Sequence, residues 1–269
     1  MIDSILKFRD LRISFKEQSG EVFQAVHGLD LDVPRGSFSS LVGQTGSGKT
    51  VTSLAICRLL NAFKIEGEIL YEDMDLLKIS PRELRKVRGR RIAYIFQDPT
   101  SSLNPVMKVG MQIEEAYLAH FEAGPSEARQ KTLELLRAVR IADPERVHDS
   151  FPHELSGGMR QRAMIAMALI LRPELLIADE PTAALDPATA SEVMELLSGL
   201  KKKGLTIFFI THHLGLASKY SDSIAVMRAG RVIERMIKGS AGFVPQEAYT
   251  KKLFNADLVG LKPKTLIEV

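Results

Sequence analysis

The sequence has one cysteine, no large surplus of either charge and no apolar run long enough to span a membrane. Because Cys57 stands alone among 269 residues, a disulfide framework is excluded and a metal site built from thiolates is disfavoured. The longest apolar stretch covers residues 163–171, about half of what a bilayer-spanning helix needs. No secretory leader is recognisable after Met1. We therefore expect a soluble intracellular chain in a reducing compartment.

The charge and composition are those of an ordinary globular protein. The chain carries 36 Lys and Arg against 33 Asp and Glu, and its net charge of +3 gives no reason to expect nucleic-acid binding. An apolar fraction of 45% excludes disordered and low-complexity assemblies. The length allows one large domain or two small ones, each with a sizeable core.

The apolar pattern changes along the chain. Alternations in residues 5–8 and 22–33, separated by a polar turn, predict antiparallel strands. Further on, strands alternate with helical patterns, which favours a largely parallel sheet with ligands at the carboxyl ends of its strands. Residues 108–150 are predicted to be helical, with breaks before Pro125 and Pro144. The predicted later strands are residues 38–42, 69–71, 91–96, 175–178, 206–210 and a hairpin at 223–236.

A phosphate-binding loop is predicted between the first of these later strands and a helix. Residues 43–50 read Gly-Gln-Thr-Gly-Ser-Gly-Lys-Thr and match the pattern G-x-x-x-x-G-K-[ST]. The glycines let backbone N–H groups turn toward a phosphate, and the helix start adds its positive dipole end. Lys49 supplies a charge to the β- and γ-phosphates, and Thr50 a hydroxyl to Mg²⁺. A glycine-rich turn with a solvated lysine is the alternative interpretation.

Two acids end the predicted strand at residues 175–178. Because successive side chains in a strand point to opposite faces, Asp179 and Glu180 are expected to have different roles. Asp179 is the natural partner of Mg²⁺, through water, and Glu180 lies where a base could polarise an attacking water. The alternative is an acidic pair that merely begins a loop.

Further motifs resemble those of ABC-type ATPases. Residues 155–162, Leu-Ser-Gly-Gly-Met-Arg-Gln-Arg, resemble the family signature LSGGQ, with Met159 in place of Gln. Gln97 resembles the Q-loop glutamine, residues 184–186 resemble the D-loop, and His212 resembles the switch histidine. Residues 96–105 and 152–169 narrow the resemblance to the importer ATPases for oligopeptides, dipeptides and nickel.

The resemblance covers residues ~5–240 and implies a fold. It is the α/β P-loop NTPase fold of ABC ATPases, with a RecA-like parallel-sheet core, an antiparallel β subdomain and a helical subdomain insert. One ABC ATPase domain would span residues 1–250, and 241–269 would form a short C-terminal tail. Within the domain, residues 1–97 and 160–240 would make the core and β subdomain. Residues 98–159 would make the helical insert with the signature loop.

In the family, two ATPase domains meet head to tail with two ATPs between them. By resemblance, the catalytic residues are Glu180, His212, Gln97 and Lys49, and the Mg²⁺ ligands are Thr50, Gln97 and Asp179. Phe15 would stack on adenine, with Phe23 as the alternative. The full set of implied ATP-binding residues is Phe15, Gly43, Thr45, Gly46, Ser47, Gly48, Lys49, Thr50, Val51, Ser156, Gly157, Gly158 and Asp186.

The resemblance also implies partners and a location. The chain would be the ATP-binding and ATP-hydrolysing subunit that powers an importer for peptides, nickel or a metallophore. Its partners would be two transmembrane permease subunits, a second ATPase subunit (a paralogue or a second copy) and, indirectly, an extracytoplasmic substrate-binding protein, with no nucleic acid. It would lie peripherally on the cytoplasmic face of the inner or plasma membrane. The alternatives are a soluble ABC ATPase and a non-hydrolysing, ATP-clamping partner of an active paralogue.

Three features depart from the family pattern or have an open role. His213 stands where an Asp usually follows the switch histidine, which predicts modestly altered coupling. One cysteine excludes the cysteine-rich C-terminal region of many peptide-importer members, which predicts a short member closer in length to the nickel or metallophore branch. The basic residues between Arg82 and Arg91 form a solvated face or, alternatively, contact a permease loop or lipid headgroups.

Overall fold

The computed structural model describes residues 3–98 and 102–260, with the backbone alone for 256–260. The chain divides into two compact units, Met1–Lys78 with Phe208–Val269 and Ile79–Ile207. The assignment of residues 98–159 as a helical insert stays a prediction. No helix in the described residues is long and apolar enough to cross a bilayer.

An antiparallel sheet forms the first part of the first unit. Its strands are β1 (Ser4–Lys16), β2 (Val22–Pro34), β4 (Lys64–Tyr71) and β5 (Met74–Asp75), in the order β2-β1-β4-β5. The predicted antiparallel pairing of the first two strands is confirmed. The strand predicted at residues 69–71 begins earlier, at Lys64, and the two-residue strand β5 was not predicted.

A second group of strands in the same unit carries the phosphate-loop segment. Strand β3 (Phe38–Val42) is buried along its whole length and precedes the helix α1 (Lys49–Ile56). β3 runs parallel to β9 (Ser223–Arg228), which turns back antiparallel into β10 (Arg231–Ile237). This confirms the predicted strand, glycine loop and helix, and the late hairpin.

Two helices cover the outside of these strands. They are α8 (Leu214–Tyr220) and α9 (Ala248–Gly260), and neither was predicted. Leu214, Ala217 and part-buried side chains of α9 pack on a cluster that includes Val42, Val226 and Met236. Val42 directly precedes the glycine loop, so this cluster fixes the end of β3 from which the loop departs.

The second unit contains a parallel strand pair. Strand β6 (Ile92–Ile95) pairs in register with β7 (Leu175–Asp179), Ile95 lying opposite Ala178. The strand β8 (Thr206–Thr211) begins in this unit and ends in the first. The helix α2 (Pro81–Val87) precedes β6 and was not predicted, although Ser80 and Glu83 form a capping box at its start.

The remaining helices of the second unit start where the sequence indicates. Pro125 and Pro144 occupy the first turns of their helices, and Asp143 accepts a hydrogen bond from the Arg146 N–H. The predicted helical character of residues 108–150 is thereby confirmed. The elements are α3 (Val109–Leu118), α4 (Pro125–Ala138), α5 (Pro144–Asp149), a 3-10 turn (Pro152–Glu154), α6 (Gly157–Leu169) and α7 (Pro187–Lys202).

Candidate functional site

The glycine loop after β3 takes a shape that requires glycine. Gly46 and Gly48 have φ of 79° and 101°, in the left-handed region. A Cβ on Gly43 would lie 2.2 Å from the Met227 carbonyl oxygen, so no side chain fits there. Gly48 is the N-cap of α1 and supplies no side-chain cap, which leaves the start of that helix to backbone groups.

Lys49 and Ser47 give this loop its polar interior. The Lys49 side chain is buried, with 6% of the residue exposed, and its Nζ donates to the carbonyls of Gly43 at 2.8 Å and Gln44 at 3.0 Å. The Ser47 hydroxyl is also buried and has no hydrogen-bond partner within the described part of the chain. A buried ammonium held on carbonyls and an unsatisfied hydroxyl fit a site that accepts phosphate oxygens.

The turn between β9 and β10 supports the same loop. Gly230 N–H donates to the Ser47 carbonyl at 3.0 Å, and His27 N–H in β2 donates to the Gly230 carbonyl at 2.9 Å. Ala229 and Gly230 both have positive φ, as a tight hairpin turn requires. A Cβ on Gly230 would lie 2.4 Å from the His27 ring. The sequence predicted the hairpin but not this contact, because nothing in the pattern places residue 230 beside residue 47.

The residues predicted to bind ATP at the rim of the loop differ in exposure. Thr45, Gly46 and Thr50 are exposed, whereas Gly48 and Val51 are half-buried. Phe15 and Phe23 lie directly opposite each other in the β1–β2 pairing, so both side chains project from the same face. Phe15 is half-buried and Phe23 is 58% exposed. The pairing puts both aromatic candidates for adenine stacking in one patch of the first unit.

The acids after β7 differ in backbone conformation. Asp179 is the last residue of β7, is 2% exposed and accepts a hydrogen bond from the Tyr94 hydroxyl at 2.9 Å. Glu180 is 8% exposed and has φ of 47°, a left-handed conformation that costs a non-glycine residue about 1–2 kcal/mol. The strand therefore ends between the two acids, and their backbone conformations differ. The difference in their roles stays a prediction.

Gln97 and His212 both follow strand ends, in different units. β6 ends at Ile95, one residue before the predicted end, and Phe96 and Gln97 are exposed. His212 is exposed after β8. His213 is the N-cap of α8, and its Nδ1 accepts from the Leu216 N–H at 3.4 Å. His213 thus caps a helix, which an Asp at that position would also do.

The signature loop starts the helix α6 as predicted. Ser156 is its N-cap, and its hydroxyl accepts a hydrogen bond from the Met159 N–H at 3.3 Å. Gly158 packs on α7, since a Cβ there would lie 2.6 Å from the Thr189 methyl group. Gly157 is half-buried and Ser156 is exposed, so the start of this helix is accessible to solvent.

Asp186 is the N-cap of α7. Its Oδ1 accepts from the N–H groups of Ala188 at 3.1 Å and Thr189 at 3.0 Å. Hydrogen bonds from Thr189, with a smaller contribution from the Ala188 N–H, hold the pKa of the Asp186 carboxyl below its usual value. The structure shows this capping role, whereas the link between two ATP sites stays a prediction.

The donor set available for Mg²⁺ is sparse. Within residues 3–98 and 102–260, no group of three or more His, Cys, Asp and Glu side chains could hold a metal ion. Mg²⁺ is usually bound by one or two protein ligands with phosphate oxygens and water. The Thr50 hydroxyl, the Gln97 amide oxygen and the Asp179 carboxylate are each of a type that such an ion accepts beside a nucleotide. Thr50 lies in the first unit, and Gln97 and Asp179 lie in the second.

The basic residues before β6 are mostly solvated. Arg82, Arg85 and Lys86 are exposed on α2. Arg90 lies over the Phe121 ring, and Arg91 pairs with Glu174 at 2.7 Å. This exposure favours the interpretation of the basic cluster as a solvated face.

Comparison with protein families gives two matches. The family model described as "ABC transporter" matches residues 26–183, which is more than half of the chain. A model described as "AAA domain, putative AbiEii toxin, Type IV TA system" matches residues 150–218.

Two curated relatives cover most of the chain. A probable peptide ABC transporter ATP-binding protein of Sinorhizobium fredii is 46% identical over 258 residues, which is 94% of this chain and 77% of the relative. An oligopeptide transport ATP-binding protein of Bacillus subtilis is 46% identical over 254 residues, or 93% of this chain and 70% of that protein.

Solved structures show the same fold. One is an ATP-binding cassette in a dimeric post-hydrolysis state bound to ADP and Pi, with a TM-score of 0.78 and 28% identity, covering 86% of this chain and 98% of that one. Another is the cbiO1 protein of Clostridium perfringens, part of the cbiONQ transporter complex, with a TM-score of 0.75 and 28% identity over 96% of each chain. The predicted ABC ATPase fold is confirmed.

Proposed function

The chain belongs to the ABC transporter ATP-binding family and is an ABC ATPase, and from this premise we propose that it powers an importer for peptides. The observation that supports the ATP chemistry is the phosphate loop. In it Lys49 is buried with its Nζ on the loop carbonyls, and the buried Ser47 hydroxyl has no partner among the described residues. The observation that carries the cargo class is the naming of both relatives for peptide or oligopeptide transport.

Peptides are favoured over nickel or a metal chelate as cargo. The chain is 46% identical to a peptide transport protein over 94% of its length and to an oligopeptide transport protein over 93%. Cargo is selected by the permease and the binding protein rather than by the ATPase. Peptide uptake is therefore the proposal, and nickel and metallophores are the cargoes to test against it.

The phosphate loop binds ATP by exchanging partners. Lys49 Nζ leaves the carbonyls of Gly43 and Gln44 for the β- and γ-phosphate oxygens, and the Ser47 hydroxyl gains the partner that it lacks. The charge of Lys49 stabilises the negative charge that develops on the γ-phosphate as water attacks. Phe15 or Phe23 supplies the apolar surface for adenine.

Hydrolysis requires a residue that orients the attacking water. Glu180, buried and held in a left-handed turn, is the proposed base, and His212 and Gln97 orient the water and the γ-phosphate. Thr50, Asp179 and Gln97 are the proposed ligands of Mg²⁺, which neutralises phosphate charge when bound. The strain at Glu180 is consistent with a backbone that places its carboxylate for chemistry rather than for stability.

A second subunit completes the site. The accessible start of α6, with Ser156, Gly157 and Gly158, receives the γ-phosphate of a nucleotide bound to the partner ATPase, as a helix N-terminus binds anions. Asp186 lies at the adjacent helix start and links the two ATP sites across the dimer. The partner ATPase is a paralogue or a second copy of this chain. Binding to two permease subunits places the chain on the cytoplasmic face of the membrane.

The substitution Glu180→Gln tests the assignment of the base. It keeps the side-chain size and removes the charge, so we expect turnover to fall on the order of 10²- to 10⁴-fold while ATP binding remains. Glu145→Gln, which removes an exposed carboxylate paired with Arg137, is the matched control and should retain full turnover. Substantial turnover in Glu180→Gln would refute Glu180 as the base.

A tagged pull-down from detergent-solubilised membranes tests the transport function. We expect two polytopic membrane proteins and a second ATPase to be recovered with the chain, and mass spectrometry identifies them. ATPase stimulation of that complex by peptides, nickel or metallophores then discriminates between cargoes. Recovery of soluble partners alone, with an intact membrane control, would overturn the importer and leave the ATPase.

A further inference from the structure

Tyr94 in β6 makes a contact that connects the two strands of the second unit. Its hydroxyl donates to Oδ2 of Asp179 at 2.9 Å, and the carboxylate is almost fully buried. In the β6–β7 register Tyr94 lies opposite Ile177, and Ile177 and Asp179 point to the same face. The tyrosine side chain therefore reaches along that face to the residue that ends the neighbouring strand.

The same side chain also contacts the segment that carries Gln97. The Tyr94 ring lies 4.5 Å from the Phe96 ring, at an interplanar angle of 36°. Phe96 is 39% exposed and immediately precedes Gln97. One side chain thus touches the acid at the end of β7 and the aromatic residue at the start of the loop after β6.

We propose that Tyr94 is a positioning residue that orients the Asp179 carboxylate for Mg²⁺. The inference rests on the proposed function, in which Asp179 is a ligand of the ion. A hydroxyl that donates to an ionised oxygen forms a short, charge-assisted bond, and a buried carboxylate with a fixed plane needs less reordering when it binds a cation. Partners of this kind around a metal ligand typically change metal affinity 10- to 100-fold when removed.

The contact with Phe96 gives this positioning a second consequence. Because the ring of Tyr94 packs on the residue before Gln97, displacement of that loop changes the packing of the group that holds Asp179. Tyr94 therefore couples two proposed Mg²⁺ ligands within one unit, Gln97 and Asp179. The contact with Asp179 does not follow from the sequence, since residues 94 and 179 are far apart along the chain.

The test compares two tyrosine-to-phenylalanine substitutions. Tyr94→Phe removes the hydroxyl and keeps the ring. Tyr117→Phe is a close control, because the Tyr117 hydroxyl donates to Glu127 at 2.9 Å and its ring lies 4.6 Å from Phe121. The purified full chain is titrated with Mg²⁺ in the presence of a fluorescent, non-hydrolysable ATP analogue, and the half-saturating Mg²⁺ concentration is measured alongside binding in EDTA.

We expect Tyr94→Phe to raise the half-saturating Mg²⁺ concentration on the order of 10-fold, with unchanged nucleotide binding in EDTA. Tyr117→Phe should leave both values unchanged. Tyr94→Leu, which removes hydroxyl and ring, should shift the Mg²⁺ requirement at least as far as Tyr94→Phe, and it keeps the test open if Tyr94→Phe folds poorly. An unchanged Mg²⁺ requirement in Tyr94→Phe, with or without a shift in Tyr94→Leu, would overturn the role of the hydroxyl.

A third variant separates this inference from the function on which it rests. Asp179→Asn should abolish the Mg²⁺ dependence of analogue binding if Asp179 is a ligand. If Asp179→Asn shifts the requirement and Tyr94→Phe does not, the positioning role of Tyr94 is wrong and the proposed function stands. If Asp179→Asn leaves the requirement unchanged, the assignment of Asp179 fails first.

Discussion

Two helices of this protein begin at glycine- and serine-rich loops, yet their first turns are built differently. α1 starts at Gly48 with no side-chain cap, next to a buried lysine and a buried hydroxyl that has no partner in the described part of the chain. α6 starts at Ser156, whose hydroxyl already accepts the Met159 N–H, and this serine is exposed. Within the described residues, the first loop keeps a buried hydroxyl without a partner, whereas the second is capped by its own serine.

The difference indicates how each loop would respond to phosphate. In the first loop, binding adds partners to groups that are unsatisfied or folded back on the loop. At the second, the serine hydroxyl accepts the Met159 N–H and can still donate its own proton to a phosphate oxygen, so a ligand there would add to an existing cap. Because a buried hydroxyl without a partner among the described residues lies in the first loop, we expect the isolated chain to bind nucleotide there. The exposed start of α6 is expected to contact nucleotide only in a dimer.

Removal of the lysine should have the largest effect on the difference between the loops before α1 and α6. Lys49→Ala deletes the charge of the first loop, and we expect ATP hydrolysis to fall on the order of 100-fold or more. Lys131→Ala, at an exposed ion pair with Glu134, should change hydrolysis little. Steady-state ATPase assays and equilibrium binding of an ATP analogue measure both. Near-normal turnover in Lys49→Ala would show that the first loop does not bind the transferred phosphate.

A methyl group at the first glycine tests whether the loop shape is required. Gly43→Ala places a Cβ against the Met227 carbonyl, so we expect the free energy of unfolding to fall by about 3 kcal/mol. Gly46→Ala meets no atom within 4 Å and has only its left-handed conformation to overcome, which costs about 1 kcal/mol. Urea unfolding measures the two values. Equal losses would mean that the close approach at Gly43 is relieved by movement of the loop.

The two serines give opposite expectations for stability and binding. Ser47→Ala removes an unsatisfied buried hydroxyl, so the free energy of unfolding should change by less than about 0.5 kcal/mol or rise, while ATP affinity falls. Ser156→Ala removes a helix cap and should cost about 1 kcal/mol, with ATP binding to the isolated chain unchanged. Thermal unfolding and analogue binding test both. The comparison would fail if Ser156→Ala weakened binding in the isolated chain as much as Ser47→Ala did.

A third helix start gives the smallest expected effect. Asp186 caps α7 with a carboxylate whose pKa is lowered in the folded chain, chiefly by the hydrogen bonds from Thr189. Its contribution to stability is therefore present above the unfolded-state pKa of about 4 and is lost as the pH falls through the lower folded-state pKa. Asp186→Asn keeps a capping oxygen that does not titrate, so its melting temperature should approach that of the wild type below pH 4. If the melting temperatures of the wild type and Asp186→Asn differ by the same amount at every pH, the lowered pKa of Asp186 contributes nothing to stability.

Much of the fold was predictable from residues whose type restricts the local backbone conformation. The order of strand, glycine loop and helix around residues 38–56, the proline-started helices at Pro125 and Pro144, and the hairpin at Gly230 are all as predicted. Each depends on local chemistry, such as a fixed proline φ or a glycine with positive φ, and local chemistry is readable in the sequence.

The missed elements have two different causes. The helix α2 carries a visible signal, the capping box of Ser80 and Glu83, which the basic residues around it obscured. The contact of Tyr94 with Asp179 and that of Gly230 with Ser47 had no visible signal, because both depend on the pairing of strands distant in sequence. Residue types at the candidate site were therefore predictable, and the residues that support them were not.

The support of Ser47 by Gly230 has a consequence for where this protein can be cut. The motifs that bear on ATP end at His212, and the family match ends at residue 183. Gly230 nonetheless holds the phosphate loop from a hairpin beyond both limits, and the same turn is bonded to β2 through His27. A fragment that ends at the last motif would retain Lys49, Ser47 and the acids after β7. It would lose the hydrogen bond from Gly230 that supports the loop at Ser47. We therefore expect the shortest fragment that keeps this support of the loop to extend through β10.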